Sequence, residues 1–469
     1  MSKQPYDVVI VGAGPAGIFT ALELVEKNLP LRIVILEKGR DINARTCPSK
    51  EKSIKCIHCA PCSVVCGWGG AGAFSDGKLT LSTEVGGWLG QYIGDPVLES
   101  LIHYVDKFYL KYGAPEKIYG IDDEDAIDDI KRKAVLAELK LVPAPIRHLG
   151  TGRCQQILER MRDYLLTKGV EIRTCTGIAQ LQVENGVVKG VVTAEGEFLP
   201  GRYVVVAPGR EGAEWLAREA ERLGLDMAVN PVDIGVRVEL PAAVMEHLTD
   251  VIYESKLIYY SKSFDDKVRT FCMNPYGEVV TENNDGLITV NGHSHAHKKT
   301  ENTNFALLVS KTFTEPFKEP IAYGKYVARL ANLLGGGVLV QRLGDLVEGR
   351  RTTQDRLKKG LVVPTLEDAT PGDLSLVFPY RHLMSLVEML KALDHIAPGV
   401  YSRHTLLYGV EVKFYSSRLK LTEQLETQVK NLYAAGDGAG VTRGLAQASV
   451  AGVVTARAIL SKEAQSAKD

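Results

Sequence analysis

An apolar run from Tyr6 to Val11 ends at Gly12, apolar positions then recur with helical spacing from about Ala16 to Lys27, and a second apolar run covers Arg32 to Leu36. That succession predicts a βαβ unit. From Ile178 to Val206 short β-rich runs are broken by Glu184-Asn185-Gly186 and Glu195-Gly196-Glu197, turn signals spaced for a three-stranded antiparallel meander. Residues 210–225 carry a helical pattern. Asp233 to Leu240 opens a region of strands and hairpins, with Asn283-Asn284-Asp285-Gly286 turning between two β-rich runs. From about 401 the chain returns to a strand, a Gly-rich loop and a helix, and the polar tail from Lys462 reads as frayed. The expected fold class is α/β, a Rossmann-like dinucleotide-binding domain with an antiparallel β-meander plus an inserted α+β substrate or cap domain. The expected boundaries are 1–230 and 401–469 for the first domain, with a Cys-rich loop at 47–66 inserted, and 231–400 for the second.

Composition narrows the function classes. Among 469 residues, 56 Lys and Arg face 57 Asp and Glu, a formal charge of -1, so no polyanion-binding balance is present and nucleic acid is not an expected partner. No stretch reaches 18 uninterrupted apolar residues, and Met1 to Gly17 lacks the regions of a signal peptide, so neither a membrane nor export is expected and the location is read as cytoplasmic. The 45 glycines exceed the usual share of about 7%. Much of the excess falls in short clusters that carry chemistry.

Gly12-Ala13-Gly14-Pro15-Ala16-Gly17 directly follows a strand and opens a helix, and Glu37, with Lys38 after it, ends the next strand 20 positions after Gly17. Gly12 permits the tight turn, Gly14 lets backbone approach a pyrophosphate at the helix N-terminus, Gly17 lets helix pack on strand, and Glu37 accepts from an adenosine ribose. The acid disfavours a 2′-phosphate, so FAD or NAD is preferred over NADP.

A second cluster, Gly436-Asp437-Gly438-Ala439-Gly440, follows a strand and precedes Gly444-Leu445-Ala446-Gln447 at the head of a small-residue helix. With the N-terminal motif this resembles the FAD-binding flavoproteins of the glutathione-reductase type. More narrowly, Gly67 to Leu79, His148-Leu149-Gly150-Thr151-Gly152 and Glu301 to Ala306 look like a bacterial family of FAD-dependent dehydrogenases of unknown substrate. The resemblance implies FAD as cofactor, with Asp437 on its ribityl or pyrophosphate part and the helix from Gly444 aimed at the flavin. It further implies that Gly69, Gly70, Gly72 and Ser75 lie beside the isoalloxazine, Ile178 faces the adenine, and Pro208 and Gly209 lie beneath the cofactor. A helix N-terminus beside the flavin would stabilise its anionic reduced form. No second G-x-G-x-x-G stands between a strand and a helix, so NAD(P)H is expected only as a transient donor.

Five of the eight cysteines crowd between Cys47 and Cys66. Cys56, Cys59, Cys62 and Cys66 have the ferredoxin spacing C-x2-C-x2-C-x3-C, and Cys47 precedes a proline as a remote ligand commonly does. The candidate metal ligands are therefore Cys47, Cys56, Cys59 and Cys62, holding a four-iron four-sulfur cluster or, as the alternative, zinc; free or redox-active thiols are the third reading. Cys66 is then a free thiol at the edge of the glycine loop.

For substrate chemistry, His293, His295 and His297 alternate along an extended run, and His293 and His295 are candidate proton donors. His404 and Tyr408 precede the C-terminal motif and Arg237 stands where the second domain begins, each a candidate for the substrate side. Arg350 and Arg351, with Arg356, Lys358 and Lys359, suit a carboxylate or phosphate, against a solvated basic face. The leading expectation is an FAD-dependent dehydrogenase or reductase moving hydride or electrons between flavin N5 and a small organic substrate, with an auxiliary cluster. The alternatives are an electron-transfer or redox-sensing flavoprotein with a partner protein and, less favoured, a tRNA-modifying flavoprotein.

Overall fold

A computed structural model describes the chain apart from residues 1–3, 28, 49–50, 52–56, 58, 76, 151, 229, 285, 295–298, 314–318, 414–417 and 467–469, and gives no side chain at 284. Two compact units emerge, Met1–Lys117 with Ile146–Ala228 and Ser416–Asp469, and Ile118–Pro145 with Val229–Tyr415.

The first unit is built on the βαβ opening. Val8 and Val9 of strand Tyr6–Val11 pair in parallel with Ile33 and Val34 of Ile33–Leu36, and Val8 pairs on its other side with Tyr203 of Phe198–Val206. Glu171–Arg173 extends the parallel sheet at one edge, Leu432–Ala434 adds to Phe198–Val206, and Ile178–Glu184 and Val187–Thr193 complete the antiparallel meander. A central strand apolar on both faces must be covered twice. On one face the helix Pro15–Glu26 packs with the final helix Leu445–Ser466. Small residues set the distance, because a Cβ on Gly452 would stand 2.2 Å from the Ala16 carbonyl oxygen. The final helix is not frayed from Lys462. It continues to Ser466, since Lys462 Nζ reaches Glu426 at 2.6 Å and Glu463 accepts from Tyr203 at 2.7 Å.

The second unit is a mixed sheet of eight strands, with Leu406–Lys413 and Asn302–Lys311 on either side of Val232–Pro241. Alternation along Val232–Pro241 sends Ile234, Val236, Val238 and Leu240 into an apolar core with Leu386, Met389 and Leu390 of the helix Tyr380–Asp394. The other face is buried and polar. Arg237 and Glu411, both 0% exposed, form a two-pronged pair at 2.8 Å each, and Lys413 adds to Glu411 at 2.8 Å.

This unit is larger than the expected 231–400. Lys140–Val142 is its edge strand beside Lys256–Tyr260, and Ile130, Ala134 and Leu139 join its core, so 118–145 belongs here. Residues 401–415 belong here too, because Leu406–Lys413 is an interior strand. The hairpin Glu278–Asn284 with Leu287–His293 forms about the expected turn. Among the described residues no helix is long and apolar enough to cross a membrane.

His382, in the helix Tyr380–Asp394, is 4% exposed and neither ring nitrogen has a hydrogen-bond partner. Burial pulls its pKa down to about 4, helped by Lys311 and Arg381 and opposed by Asp266. The unfolded chain then binds a proton that the folded chain refuses, so the stability contributed by neutral His382 is complete above the ordinary value of 6.5 and is lost as pH falls from there towards about 4. The urea midpoint of this unit is expected to decline across that window, and His382→Leu to flatten the decline; an unchanged slope would refute the assignment.

Candidate functional site

The expected dinucleotide turn forms where the parallel strands end. Gly12 has a φ of 101°, and a Cβ on it would stand 2.2 Å from the Ala207 carbonyl oxygen; a Cβ on Gly17 would stand 2.0 Å from the Gly12 carbonyl oxygen. Both glycines are demanded by backbone packing. Gly14 differs, since a Cβ there meets nothing within 4 Å. It faces open space at the head of the helix, with Pro15 in the first turn and Ala16 buried behind it.

Glu37, 6% exposed, gathers three backbone N–H groups: Ala13 donates to Oε2 at 2.9 Å, and Gly39 and Gly67 donate to Oε1 at 2.8 and 2.9 Å. The carboxylate thereby joins the dinucleotide turn to the glycine loop, and Oε2 keeps acceptor capacity for a hydroxyl. Lys38 is ion-paired with Glu211. Thr176 N donates to the Glu37 carbonyl oxygen at 2.8 Å, which brings the meander's first residue, the half-buried Ile178, beside this edge.

The glycine loop closes over the turn. Gly69 N donates to the Ala13 carbonyl oxygen at 2.8 Å, a Cβ on Gly70 would stand 3.2 Å from Gly14 Cα, and one on Gly72 would stand 2.4 Å from Leu445 Cδ2. The short 3-10 helix Gly70–Phe74 is therefore wedged between both sequence motifs. Ser75 Oγ serves the loop, donating to the Gly72 carbonyl oxygen at 2.8 Å and accepting from Gly77 N at 3.1 Å.

At the C-terminal motif, Asp437 accepts from Thr442 Oγ1 at 2.9 Å and Gly444 N at 3.2 Å, with Arg210 Nε 3.6 Å away. Burial raises its pKa, with Arg210 opposing. A Cβ on Gly438 would stand 2.5 Å from the Gly209 carbonyl oxygen, which joins this motif to Pro208-Gly209, while Gly209 and Gly444 have open space around theirs. In the first turn of the final helix, buried Gln447 donates to the Val85 carbonyl oxygen at 3.1 Å, and its Oε1 has no partner. Two helix N-termini, open glycines and an unpaired buried acceptor fit a bound dinucleotide.

Sequence reasoning missed Arg45, which belongs to no motif. Its guanidinium donates to the carbonyl oxygens of Ser63 (Nε, 2.9 Å), Val64 (Nη2, 2.9 Å), Trp68 (Nη1, 2.7 Å) and Gly70 (Nη1, 2.9 Å), and lies 4.6 Å over the Phe74 ring. Burial brings its pKa down to about 10, with Glu37 opposing, so it stays charged at neutral pH.

The cysteines are placed less as expected. Cys47 and Cys62 are half-buried, Cys59 is exposed and Cys66 is buried, and Cys56 lies outside the described residues. Cys47, Cys59 and Cys62 line one cavity of about 30 Å³, yet among the described residues no three His, Cys, Asp or Glu side chains form a group able to hold a metal ion. Burial pushes the Cys66 thiol up.

The remaining candidates sit apart on the second unit. His293 ends a strand opposite Glu278, His295 lies outside the described residues, and His404 accepts from Arg403 Nε at 3.1 Å in the turn before Leu406–Lys413. Tyr408 is 0% exposed and donates to Glu239 at 2.5 Å. Neither Tyr408 nor Arg237 presents a free polar group, because each is committed to a buried carboxylate. The basic run holds an internal carboxylate: Asp345, 1% exposed, receives Arg350 at 2.9 Å and Arg356 at 3.5 Å.

Two nucleotide elements with a glycine loop wedged between them define a dinucleotide-binding α/β protein. Residues 231–414 match the family described as FAD-dependent protein, C-terminal domain-like. An uncharacterized protein of Clostridium beijerinckii is 29% identical over 482 residues, spanning 97% of this chain and 80% of that protein. Among solved structures, L-proline dehydrogenase from P. horikoshii aligns over 98% of this chain and 94% of its own at 11% identity and a TM-score of 0.41. Formate oxidase from Aspergillus oryzae aligns over 99% and 100% at 13% identity and a TM-score of 0.46.

Because the Gly14 side-chain position is empty, Gly14→Val is expected to leave the thermal midpoint of the cofactor-free protein within about 2 °C, a shift equivalent to about 0.5–1 kcal/mol, while abolishing FAD retention. Flavin retained by the variant would refute the assignment of this turn.

Proposed function

We propose that the chain is an FAD-dependent oxidoreductase, a dehydrogenase or reductase, acting on a small organic substrate. The carrying observation is the glycine loop held between the Gly12–Gly17 turn and Leu445, which leaves open space at Gly14, Gly209 and Gly444. Bound FAD supplies hydride or electron transfer at its flavin N5. The protein's own work is positional. Gly14 and the following helix N-terminus receive a diphosphate, Glu37 Oε2 accepts a ribose hydroxyl, and Gln447 Oε1 accepts from a donor near the head of the final helix. Asp437 holds Gly444 and Thr442 in place, fixing where that helix begins.

The electron donor in this reading is a visiting nicotinamide or a partner protein. The test is an absorption spectrum and cofactor release from the purified full-length protein, followed by anaerobic addition of small amino, hydroxy and carbonyl compounds and of nicotinamides. About one FAD per chain and bleaching by a small compound are expected. Absence of flavin would overturn the reading, and bleaching only by a reduced protein carrier would replace the enzyme with an electron-transfer protein.

A further inference from the structure

The proposed reaction leaves the thiols unused, and their placement is ordered. Val65 N and Cys66 N both donate to the Cys62 carbonyl oxygen, at 3.1 and 2.8 Å, so Cys62 and Cys66 stand one helical turn apart. Positions four apart on such a turn share one face, with Cα atoms about 6 Å apart, within the Cα span of a disulfide, and Cβ atoms about 5–6 Å apart, so a bridge must draw the Cβ atoms together by about 1–2 Å and moves the backbone of the turn. Cys62 also lines the cavity of about 30 Å³ with Cys47, Cys59 and Ser63, room for a reactant little larger than water.

The turn is wired to the dinucleotide site. Ser63 and Val64, whose carbonyls lie between the two cysteines, bind Arg45, and the same guanidinium binds Trp68 and Gly70 on either side of Gly69. Gly69 donates to Ala13, and Gly67, next to Cys66, donates to Glu37. A change in the Cys62–Cys66 turn therefore reaches the Gly12–Gly17 turn along two routes, through Arg45 and the Gly69–Ala13 backbone hydrogen bond, and through Gly67 and the Glu37 carboxylate that also holds Ala13.

Resting on the FAD reading above, we propose that Cys62 and Cys66 are an oxidation site at which hydrogen peroxide forms a disulfide, and that Arg45 transmits the closed turn to the glycine loop and weakens FAD binding. The Cys62 thiolate attacks one peroxide oxygen and breaks the O–O bond, leaving a sulfenic acid and one water once a proton is taken up. Cys66 sulfur then displaces the sulfenic oxygen, forming the S–S bond and releasing a second water. Two thiols and one hydrogen peroxide thus give one disulfide and two waters, the sulfurs losing two electrons. Cys62 attacks first because it lines the cavity, whereas Cys66 is buried and does not. Closing the bridge draws the Ser63 and Val64 carbonyls from the guanidinium, which is too buried to replace them with water.

The test uses the full-length flavoprotein and follows FAD release on dilution by flavin fluorescence, before and after hydrogen peroxide. The dissociation constant is expected to rise at least tenfold, to return with dithiothreitol, and to coincide with loss of two hydrogens mapped to a Cys62–Cys66 peptide pair. Cys62→Ser removes the response and Cys59→Ser keeps it. In Arg45→Lys the disulfide still forms but no longer changes the ratio of the two constants. A disulfide without a change in FAD release, a bridge to another cysteine, or stoichiometric iron or zinc on these thiols would each overturn the proposal. Failure of the reduced protein to hold FAD would overturn the flavoprotein reading instead.

Discussion

At three points in the first unit backbone lies where a side chain would have to be. A Cβ on Gly12, Gly17 or Gly452 would stand 2.0 to 2.2 Å from a carbonyl oxygen, of Ala207, Gly12 and Ala16 respectively. These contacts let strand Tyr6–Val11 meet Phe198–Val206, press the helix Pro15–Glu26 onto its strand, and bring the final helix against that helix. Together they place two helix N-termini near the ends of parallel strands, where unsatisfied N–H groups and helix dipoles favour an anion. Every other feature of the site is fastened to this frame, with Glu37 tying the turn to the glycine loop and Leu445 seating against Gly72.

The second unit solves a different problem, that of burying charge. Arg237 is satisfied only because Glu411, Asn291 and the Cys272 carbonyl converge on it, at 2.8, 3.0 and 2.6 Å. Removing one partner of such a pair leaves an uncompensated buried charge, so losing either Arg237 or Glu411 costs more than the intact pair contributes. Glu239 is likewise surrounded, by Tyr408, Asn302 and Thr365, and burial pushes its pKa up.

The difference between the units explains what could be read from the sequence. The βαβ opening, the meander and both glycine clusters were legible because each depends on local spacing and on residue types with few substitutes. Arg237 and Tyr408 were misread as substrate-facing because their partners lie 174 and 169 positions away, and residue type alone does not report burial. The segment 118–145 was assigned to the wrong unit for a related reason. Its edge strand Lys140–Val142 is recognisable only through its pairing with Lys256–Tyr260. Arg45 carried no signal, since four backbone carbonyls brought together by a loop have no sequence pattern.

The electrostatics of the dinucleotide site give that loop its leverage. Arg210 is 3.6 Å from Asp437 and Lys38 is paired with Glu211, while Arg443 stacks over the Trp88 ring at 4.0 Å and Arg45 is taken up by backbone carbonyls. In the proposed reading an incoming diphosphate is met chiefly by backbone N–H groups and helix ends, whose field falls off within a turn of the helix. Affinity built this way depends on where the backbone stands more than on long-range attraction. A small displacement of Gly69 or Gly70 against Ala13 and Gly14 removes contacts that no distant lysine can replace. Two charged side chains fix that position, Glu37, which holds Gly67 and Ala13 together, and Arg45, which joins the loop to the cysteine turn.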